Sequence, residues 1–413
     1  MKKAGLLLIA GTLLLSLTGC HVAYKDSVTV EDGKIVQDNP KTVINVIYTD
    51  EKYKEYFEYC EQAFEKANTD VDIKLDCVEE TTDYIQNIVQ GSYSEDTTID
   101  VYMLSDSKLG TAYLAGVTLK NPYEDFSEDN YCQTALFACS HGENLIAYPL
   151  SYDTAFLVYR SDFMSSEDVK TFENIEAFAE NADYSSEELS IIESIFRCDL
   201  GDIFINYGFV GAGINLGGDT GSDASVMEIA TGETIKSAYD YTALIDYFSI
   251  GSDENYGATL YKFTSGKYLS TIASTYSLNE IFESGISYGI GAFPDYNDID
   301  TTSPLSITHC LVVNQCSDYT DVASDFARFA TYEAASLLYE KAGVLSARKN
   351  IKYENTELEN IYASYEKASG KNKLQYGEQV YPLIEIAMHN IVAGNNAKEE
   401  FESIEEYMSG QLE

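Results

Sequence analysis

An aspartate inside an apolar strand is the first residue of this chain that could take part in chemistry. Residues 151–160 read SYDTAFLVYR and alternate as a β-strand does, with Tyr152 and Thr154 on one face and Asp153 on the other. A carboxylate in this place could bind the hydroxyl groups of a ligand or attract a cation. Two readings stay open here, a binding residue or a solvated strand end close to a turn.

Two pairs of polar residues directly follow predicted buried strands. Thr49 and Asp50 follow the strand 43–48, and Ser105 and Asp106 follow the strand 99–104. Open α/β sheets place their ligand crevice at the carboxyl ends of strands, so both pairs are candidate ligand contacts. Ser, Thr and Asp are also preferred helix N-caps, and that alternative stays open for each residue.

The elements that would position these residues alternate between strand and helix. Apolar residues in 53–67 recur at helical spacing, and 71–77 alternates as a half-exposed strand. Helices over 82–90 and 108–116 complete an order that is typical of a parallel α/β sheet. We predict that the following strand, 145–148, stops at Pro149, which cannot donate to a sheet ladder.

The second half of the chain also mixes helices and strands. Residues 165–196 read as helix-rich. The glycine-rich stretch 208–222 lacks GxGxxG spacing and reads as a loop rather than a phosphate cradle. Beyond it the pattern predicts three strands, one that ends at residue 272 and two at 289–293 and 306–314. It also predicts helices at 234–248, 321–342, 355–368, 378–393 and 397–408.

The first twenty residues read as an export signal rather than as part of the fold. Lys2 and Lys3 precede an apolar run, residues 6–17, that is too short for a mature membrane-spanning helix. The run closes on Leu-Thr-Gly-Cys, with the cysteine at Cys20. We predict that residues 21–41 form a tether that contains a short hairpin around Asp32 and Gly33.

The composition excludes several classes of function. The formal net charge is −42, and removal of residues 1–20, which hold two lysines and no acid, would make it −44. This charge argues against nucleic acid or another polyanion as partner. The histidine and cysteine spacings predict no metal site, and we expect no cofactor. Disulfide pairing stays open among Cys60, Cys77, Cys132, Cys139, Cys198, Cys310 and Cys316.

Four parts of the chain together form a recognisable pattern: the strand and helix of 43–66, Ile99-Asp100-Val101, the run GENLIAYPLSYDTAFLVYRSDF at 142–163, and FTSGKYLSTIASTYS at 263–277 with AGVLSARKN at 342–350. Their order resembles that of the bacterial extracellular solute-binding proteins of the maltodextrin-binding type, which are receptors of ABC importers. The Leu-Thr-Gly-Cys ending resembles the lipobox of bacterial lipoproteins.

The resemblance implies an α/β fold of two lobes, the type II periplasmic-binding-protein-like fold. Each lobe would be a mixed sheet flanked by helices, with the ligand cleft at the hinge. The implied boundaries are a signal peptide at 1–20, a tether at 21–41, a first lobe at 42–151 and 294–341, and a second lobe at 152–293 and 342–413. The chain would cross between lobes near 151–155, 293–294 and 341–345.

The resemblance also implies roles for single residues. Asp153 stands where the family pattern has a sugar-binding glutamate, and Tyr276 where the family often has a stacking tryptophan. Tyr376 and Tyr381 fall in the region that supplies a second aromatic. The chain has 34 tyrosines and no tryptophan. We expect Asp153→Ala to abolish ligand binding while leaving the stability of the unliganded protein nearly unchanged.

The expected function is therefore a monomeric, non-enzymatic receptor outside the cytoplasm. It would be anchored to the cell membrane by a lipid at Cys20, bind a carbohydrate or oligosaccharide, and deliver it to ABC permease subunits. Asp50, Asp106 and Asp153 favour an alternative of the same fold, a polyamine or peptide receptor. A glycosidase with paired carboxylates and a surface adhesin or scaffold are further alternatives.

Overall fold

The computed structural model describes residues 27–31, 34–38, 41–93, 98–182, 185, 191–251 and 254–412. The predicted export signal and Cys20 lie outside these residues. Strands β1 (Ser27–Glu31) and β2 (Lys34–Asp38) pair antiparallel, which confirms the predicted hairpin as far as its two strands are described. Its turn, residues 32–33, lies outside the described part of the chain.

The remaining strands begin with the predicted run 43–48. They are β3 (Thr42–Tyr48), β4 (Val71–Cys77), β5 (Val101–Ser105), β6 (Ser140–His141), β7 (Asn144–Leu145), β8 (Tyr148–Arg160), β9 (Ser194–Arg197), β10 (Asn215–Leu216), β11 (Met227–Glu228), β12 (Tyr268–Ser274), β13 (Tyr288–Gly291) and β14 (Ser306–Val313).

The helices follow the apolar periodicities of the sequence. They are α1 (Lys54–Ala67), α2 (Tyr84–Ser92), α3 (Leu109–Leu114), α4 (Gln133–Ala138), α5 (Phe172–Asn181), α6 (Ile203–Asn206), α7 (Gly232–Phe248), α8 (Tyr256–Thr264), α9 (Leu278–Glu283), α10 (Thr320–Arg328), α11 (Leu338–Ala342), α12 (Leu358–Glu366), α13 (Val380–Val392) and α14 (Ala397–Leu412).

Eight of the described strands form one mixed sheet. Seven lie in the order β4-β3-β5-β14-β8-β12-β9, and β13 also pairs with β8. The pairs β4–β3 and β3–β5 are parallel, as the alternation of strand and helix predicts, and β14 runs antiparallel to both β5 and β8. The first part of β8 pairs with β14, and its second part pairs with β12 and β13. Strand β8 therefore joins the two halves of the sheet.

The predicted end of a strand at Pro149 is wrong, because β8 runs through this residue. The register shifts here: Cys310 lies opposite Pro149 while the preceding His309 lies opposite Ser151, so Leu150 is an extra residue. A bulge interrupts the ladder, and a proline without an N–H group is tolerated at such a place. The carbonyl of Leu150 accepts a hydrogen bond from the N–H of Ala347 at 3.0 Å.

The helix-rich prediction for 165–196 holds only in part. Helix α5 lies within it, but β9 begins at Ser194 and pairs in parallel with β12. Backbone pairing with a neighbour distant in sequence outweighs the local propensity of these four residues. The glycine-rich stretch 208–222 forms short 3₁₀ turns and the two-residue strand β10, which agrees with the predicted loop.

Two large apolar cores lie on the two faces of β8. The first contains Tyr152, Phe156 and Val158 together with residues of β3, α1, α10 and α12. The second contains Ala155, Leu157 and Tyr159 together with residues of α5, α7, α13 and α14. This division matches the predicted alternation of the strand, and both faces are buried because each faces its own core. Both cores therefore contain residues of β8.

Candidate ligand-binding site

Polar residues gather at one edge of the first half of the sheet. Strands β3 and β5 are parallel neighbours, so Thr49–Asp50 and Ser105–Asp106 both follow carboxyl ends at the same edge. His309 of β14 lies opposite Ser105 on one side and opposite Ser151 of β8 on the other. The sheet register therefore brings Asp153, two residues beyond Ser151, to the same edge.

Asp153 is a buried carboxylate held by two side chains. It is 7 % exposed, its Oδ1 accepts a hydrogen bond from Thr275 Oγ1 at 2.7 Å, and its Oδ2 lies 3.0 Å from His309 Nε2. Burial acts to raise the pKa of Asp153, but the hydrogen bonds from His309 and Thr275 prevail and hold it below its usual value. The reading of Asp153 as a solvated strand end is therefore wrong.

His309 is a site residue that the sequence argument missed. Its Nε2 faces the ionised Asp153, so this nitrogen carries the proton and donates. Its Nδ1 is buried and has no hydrogen-bond partner among the described residues. The ring centroid of Tyr53 lies 6.4 Å away, and the Tyr53 hydroxyl is 2.7 Å from Ser151 Oγ. A histidine within the alternating strand SITHCLVV was the available signal.

Asp50 is exposed and caps a 3₁₀ turn. Its Oδ1 accepts a hydrogen bond from the N–H of Lys52 at 2.9 Å, and its Oδ2 lies 3.3 Å from the Lys52 ammonium. Asp50 is thus an N-cap, one of its two predicted roles, and its second oxygen faces the Lys52 ammonium at the surface. Thr49 is half-buried between β3 and this turn.

Ser105 and Asp106 differ in their surroundings. The Ser105 hydroxyl donates to Glu80 Oε1 at 2.8 Å and makes no capping bond. Asp106 is fully buried, its Oδ2 accepts from the N–H of Lys371 at 3.4 Å, and its Oδ1 has no hydrogen-bond partner among the described residues. Burial raises the pKa of Asp106 to about 7, against the opposing effect of Lys371 and Lys373.

Tyr276 offers an exposed aromatic ring beside Asp153. It follows β12 directly, it is 59 % exposed, and its ring centroid lies 5.7 Å from that of Phe204. Desolvation and then the carboxylate of Asp153 raise the pKa of Tyr276, with smaller effects from Asp202 and Asp106. Thr275, the residue before Tyr276, donates to Asp153 at 2.7 Å, so Tyr276 directly follows a residue that holds this carboxylate.

The two C-terminal tyrosines differ from each other. Tyr376 is exposed and has a backbone φ of 64°, an unusual conformation for a residue other than glycine. Tyr381 is buried, and the Lys371 ammonium lies 3.7 Å from its ring centroid. The Tyr381 hydroxyl accepts a hydrogen bond from Asn372 Nδ2 at 3.4 Å. One face of the Tyr381 ring is therefore covered by Lys371.

Three further carboxylates surround the first turn of α6, and the sequence argument did not single them out. Asp199 Oδ1 accepts from the N–H of Gly201 at 2.8 Å, and Glu385 Oε2 accepts from the N–H of Ile203 at 3.2 Å. Asp202 caps α6 and accepts from the N–H of Phe204, whose ring contacts Tyr276. Burial raises the pKa of Asp199, and Asp202 and Glu385 add to this effect.

A cavity of about 260 Å³ has a lining that does not include Asp153. Its lining contains amides and aromatic rings but no ionisable acid or base other than tyrosine. Tyr381 is the predicted site residue that borders it, and Asp153, Tyr276 and His309 do not. We assign the candidate site to the edge with Asp153, because that carboxylate lies on β8, the strand that joins the two halves of the sheet. The cavity is lined by Gln133, Thr134, Phe137, Tyr207, Ile214, Asn215, Leu216, Gly218, Ala368, Ser369, Gly370, Asn372 and Tyr381.

No group of three or more His, Cys, Asp or Glu side chains in the described part of the chain is arranged to hold a metal ion. Within the same residues, no helix is both long enough and apolar enough to cross a bilayer.

The chain belongs to the family described as bacterial extracellular solute-binding proteins, whose sequence profile matches residues 61–365. A curated relative, the maltodextrin-binding protein MdxE of Bacillus subtilis (strain 168), is 21 % identical over an alignment 412 residues long, which covers 96 % of this chain and 94 % of that protein. The chain is thus similar to MdxE along almost its whole length.

Solved structures confirm the predicted fold, the type II periplasmic-binding-protein-like arrangement of two α/β lobes. An extracellular solute-binding protein from Staphylococcus aureus, solved with maltose, superposes with a TM-score of 0.79 at 17 % identity and covers 91 % of this chain and 99 % of that one. The maltose-binding protein MalE of Listeria monocytogenes, also solved with maltose, gives 0.73 at 19 % identity, with 90 % and 98 % covered.

Proposed function

We propose that this chain is the extracytoplasmic receptor of an ABC importer that binds a carbohydrate at the edge formed by Asp153, His309 and Tyr276. The observation that carries the proposal is Asp153, a buried and ionised carboxylate on β8, the strand that pairs with β14 in one half of the sheet and with β12 in the other. The curated and structural relatives named for maltodextrin or maltose support the choice of a carbohydrate.

The side chains at this edge have the chemistry that sugars require. A carboxylate accepts hydrogen bonds from adjacent hydroxyl groups, and an exposed aromatic ring covers the apolar face of a sugar. Asp153 and Tyr276 provide both, and Thr275 and His309 fix the carboxylate in place. We keep Thr49, Asp50, Ser105 and Asp106 as further candidate contacts from the first lobe, and Tyr376 and Tyr381 as candidates from the C-terminal region.

The crossing segments give the two lobes a hinge. The N–H of Tyr152 donates to the carbonyl of Leu345 at 3.2 Å, so the proposed third crossing runs beside the first. The N–H of Phe293, at the proposed second crossing, donates to Ser364 Oγ at 2.7 Å. We propose that rotation about these segments closes the lobes on the ligand. The lobe boundaries at 151, 293 and 341 stay predictions.

The rest of the proposal concerns the cell envelope. We propose that residues 1–20 direct export, that a lipid on Cys20 anchors the mature chain to the membrane, and that residues 21–41 act as a tether. In this role the protein works as a monomer, delivers its solute to permease subunits and catalyses no reaction. The acidic surface, with a net charge of −42 for the full sequence, disfavours binding to nucleic acid.

A thermal-shift screen of the full chain tests the proposal. A ligand at one hundred times its dissociation constant stabilises the folded state by about 2.7 kcal/mol, which is measurable as a rise in melting temperature. We expect a rise with at least one oligosaccharide of a panel containing maltotriose, cellotriose and N-acetylchitotriose. Asp153→Ala should lose the rise relative to its own unliganded melting temperature.

Asp100→Ala is the matched control. Asp100 is also a buried carboxylate, which accepts hydrogen bonds from the N–H of Asn45 at 2.7 Å and from Ser317 Oγ, but it lies before β5 rather than after it. This variant should keep the ligand-induced rise. The proposal is refuted if Asp153→Ala retains the rise, or if the purified protein hydrolyses a bound oligosaccharide.

A further inference from the structure

The segment between α12 and α13 contains two buried lysines, Lys371 and Lys373, which is unusual for this residue type. The Lys373 ammonium donates to the carbonyl of Phe137 on α4 and lies 3.7 Å from the ring centroid of the same residue. The N–H of Lys373 donates to the carbonyl of Gly221 at 2.7 Å. Lys373 is therefore fixed through its backbone and through its side chain.

The 371–373 segment covers the carboxyl end of β5. The N–H of Lys371 donates to Asp106 Oδ2 at 3.4 Å, and Asp106 has no exposed surface. The backbone of Lys373 packs against α3 so closely that a Cβ on Gly110 would lie 2.7 Å from the Lys373 carbonyl oxygen. A ligand at the sheet edge therefore does not reach Asp106 while this segment is in place.

The same segment covers the ring of Tyr381. The Lys371 ammonium lies 3.7 Å from the ring centroid of Tyr381 and 3.1 Å from Glu378 Oε2, so a cation–π contact and an ion pair hold it there. An aromatic ring stacks on a sugar only through a free face, and Lys371 occupies this one. Because Lys371 contacts both Asp106 and Tyr381, the ring lies within the length of one lysine side chain from the end of β5.

The sheet register shows how far this covered end lies from the exposed Tyr276. Ser105 of β5, His309 of β14 and Ser151 of β8 lie in one row, and β12, which leads into Tyr276, follows β8. Neighbouring strands lie about 4.8 Å apart, so the edge from β12 to β14 is about 10 Å long, and β5 lies one strand further on. A pyranose unit of a saccharide chain is about as long as one strand spacing, so two units match the uncovered part of the edge.

We propose that the 371–373 segment is a wall that ends the ligand site at β5 and limits its contacts to two sugar units. This inference rests on the proposed carbohydrate-binding function and adds the size of the ligand to it. One unit lies on the Tyr276 ring and the next beside Asp153. A third unit meets the wall on the β5 side or extends into solvent past Tyr276, so it adds no contact. Lys371 sets the limit, because its ammonium covers the Tyr381 ring.

Calorimetric titration of the full chain with pairs of saccharides tests this inference. The pairs are maltose and maltotriose, cellobiose and cellotriose, and the dimer and trimer of N-acetylglucosamine. In each series that binds, we expect the dissociation constants of the two lengths to agree within threefold.

Two substitutions of Lys371 test its role as the barrier. Lys371→Ala uncovers the Tyr381 ring, so the trisaccharide should bind this variant at least fivefold more tightly than the disaccharide. Lys371→Arg keeps a cation on the ring and should keep the ratio of the wild-type protein. Circular dichroism checks the fold of each variant, and if Lys371→Ala does not fold, the two wild-type dissociation constants decide alone.

A lysine in the same kind of contact serves as the matched control. The Lys262 ammonium on α8 lies 5.0 Å from the ring centroid of Tyr268 and 3.6 Å from Glu193 Oε2. Tyr268 begins β12, at the end of the strand opposite to Tyr276. Lys262→Ala should therefore leave the dissociation constants of both lengths unchanged.

The remaining outcomes separate the size limit from the proposed function. A trisaccharide that binds the wild-type protein more than threefold more tightly than its disaccharide overturns the size limit and leaves the carbohydrate receptor standing. The same ratio in wild type and in folded Lys371→Ala also overturns it, because the ammonium would then be no barrier. Absence of binding by all six saccharides overturns the proposed function and the size limit with it.

Discussion

The burial of Asp153 changes what its removal should do to the unliganded protein. The sequence led us to expect that Asp153→Ala would leave stability nearly unchanged, as for a residue in contact with solvent. In the structure the carboxylate is 7 % exposed and accepts hydrogen bonds from Thr275 and His309. Its removal leaves both donors without their acceptor inside the protein.

The size of the effect follows from these two bonds. Hydrogen bonds to charged groups contribute about 1.5–3 kcal/mol each, and a buried donor left unpaired adds a further penalty. Relaxation around the smaller side chain recovers part of this loss. We therefore expect Asp153→Ala to lower the free energy of unfolding by about 2–5 kcal/mol at pH 7.

The pH dependence should separate Asp153 from the control residue Asp100. The folded pKa of Asp153 is lowered, so its stabilising effect is present above about pH 4, the usual pKa of an aspartate, and is lost as the pH falls through the folded pKa. Burial raises the pKa of Asp100, so protonation of Asp100 favours the folded state and this effect is lost as the pH rises. On acidification, the stability difference between wild type and Asp153→Ala should therefore shrink, while that between wild type and Asp100→Ala should grow in favour of wild type.

Urea denaturation between pH 3.5 and pH 7, followed by circular dichroism, measures both differences. The gap between wild type and Asp153→Ala should narrow towards pH 3.5, while wild type should gain stability relative to Asp100→Ala over the same range. Equal stability of Asp153→Ala and wild type at pH 7 would refute the reasoning, because the two hydrogen bonds would then contribute nothing.

Three other predictions concern separate parts of the chain. Lys371→Met removes the lysine whose charge lowers the pKa of Asp106 most, so that pKa should rise further in the folded state. Because the folded protein then keeps the Asp106 proton to higher pH, the free energy of unfolding should fall more steeply between pH 6 and pH 9 than in wild type. Gly377→Ala makes the new Cβ clash with Asn372 Oδ1, and urea denaturation should show that the free energy of unfolding falls by about 1–3 kcal/mol. Cys20→Ser should move the exported protein from the membrane fraction to the soluble fraction, as cell fractionation would show.

The local sequence pattern predicts an element correctly where that element buries a single face. Strand β3 and helix α1 follow their apolar spacing, and the polar residues after β3 and β5 could be placed at one edge because parallel strands end together. The course of β8 could not be predicted in the same way. Pro149 is tolerated there through a bulge against β14, and β14 lies more than 150 residues later in the chain.

The missed parts of the site depend on distant contacts. His309 is one of four histidines in the sequence, and nothing in its neighbours shows that it lies beside Asp153. The orphan oxygen of Asp106 lies where the segment that contains Lys371 packs against the first lobe. Such contacts join segments far apart in the chain, so no local pattern predicts them.

Hydrogen–deuterium exchange of the full chain with and without a bound saccharide tests the central claim most directly. If the ligand binds at the edge with Asp153, amides in 49–54, 105–109 and 274–280 should exchange more slowly in its presence, and those in α14 should not change. Protection confined to 133–138 and 214–218, which line the separate cavity, would contradict the account, because the ligand would then bind away from Asp153.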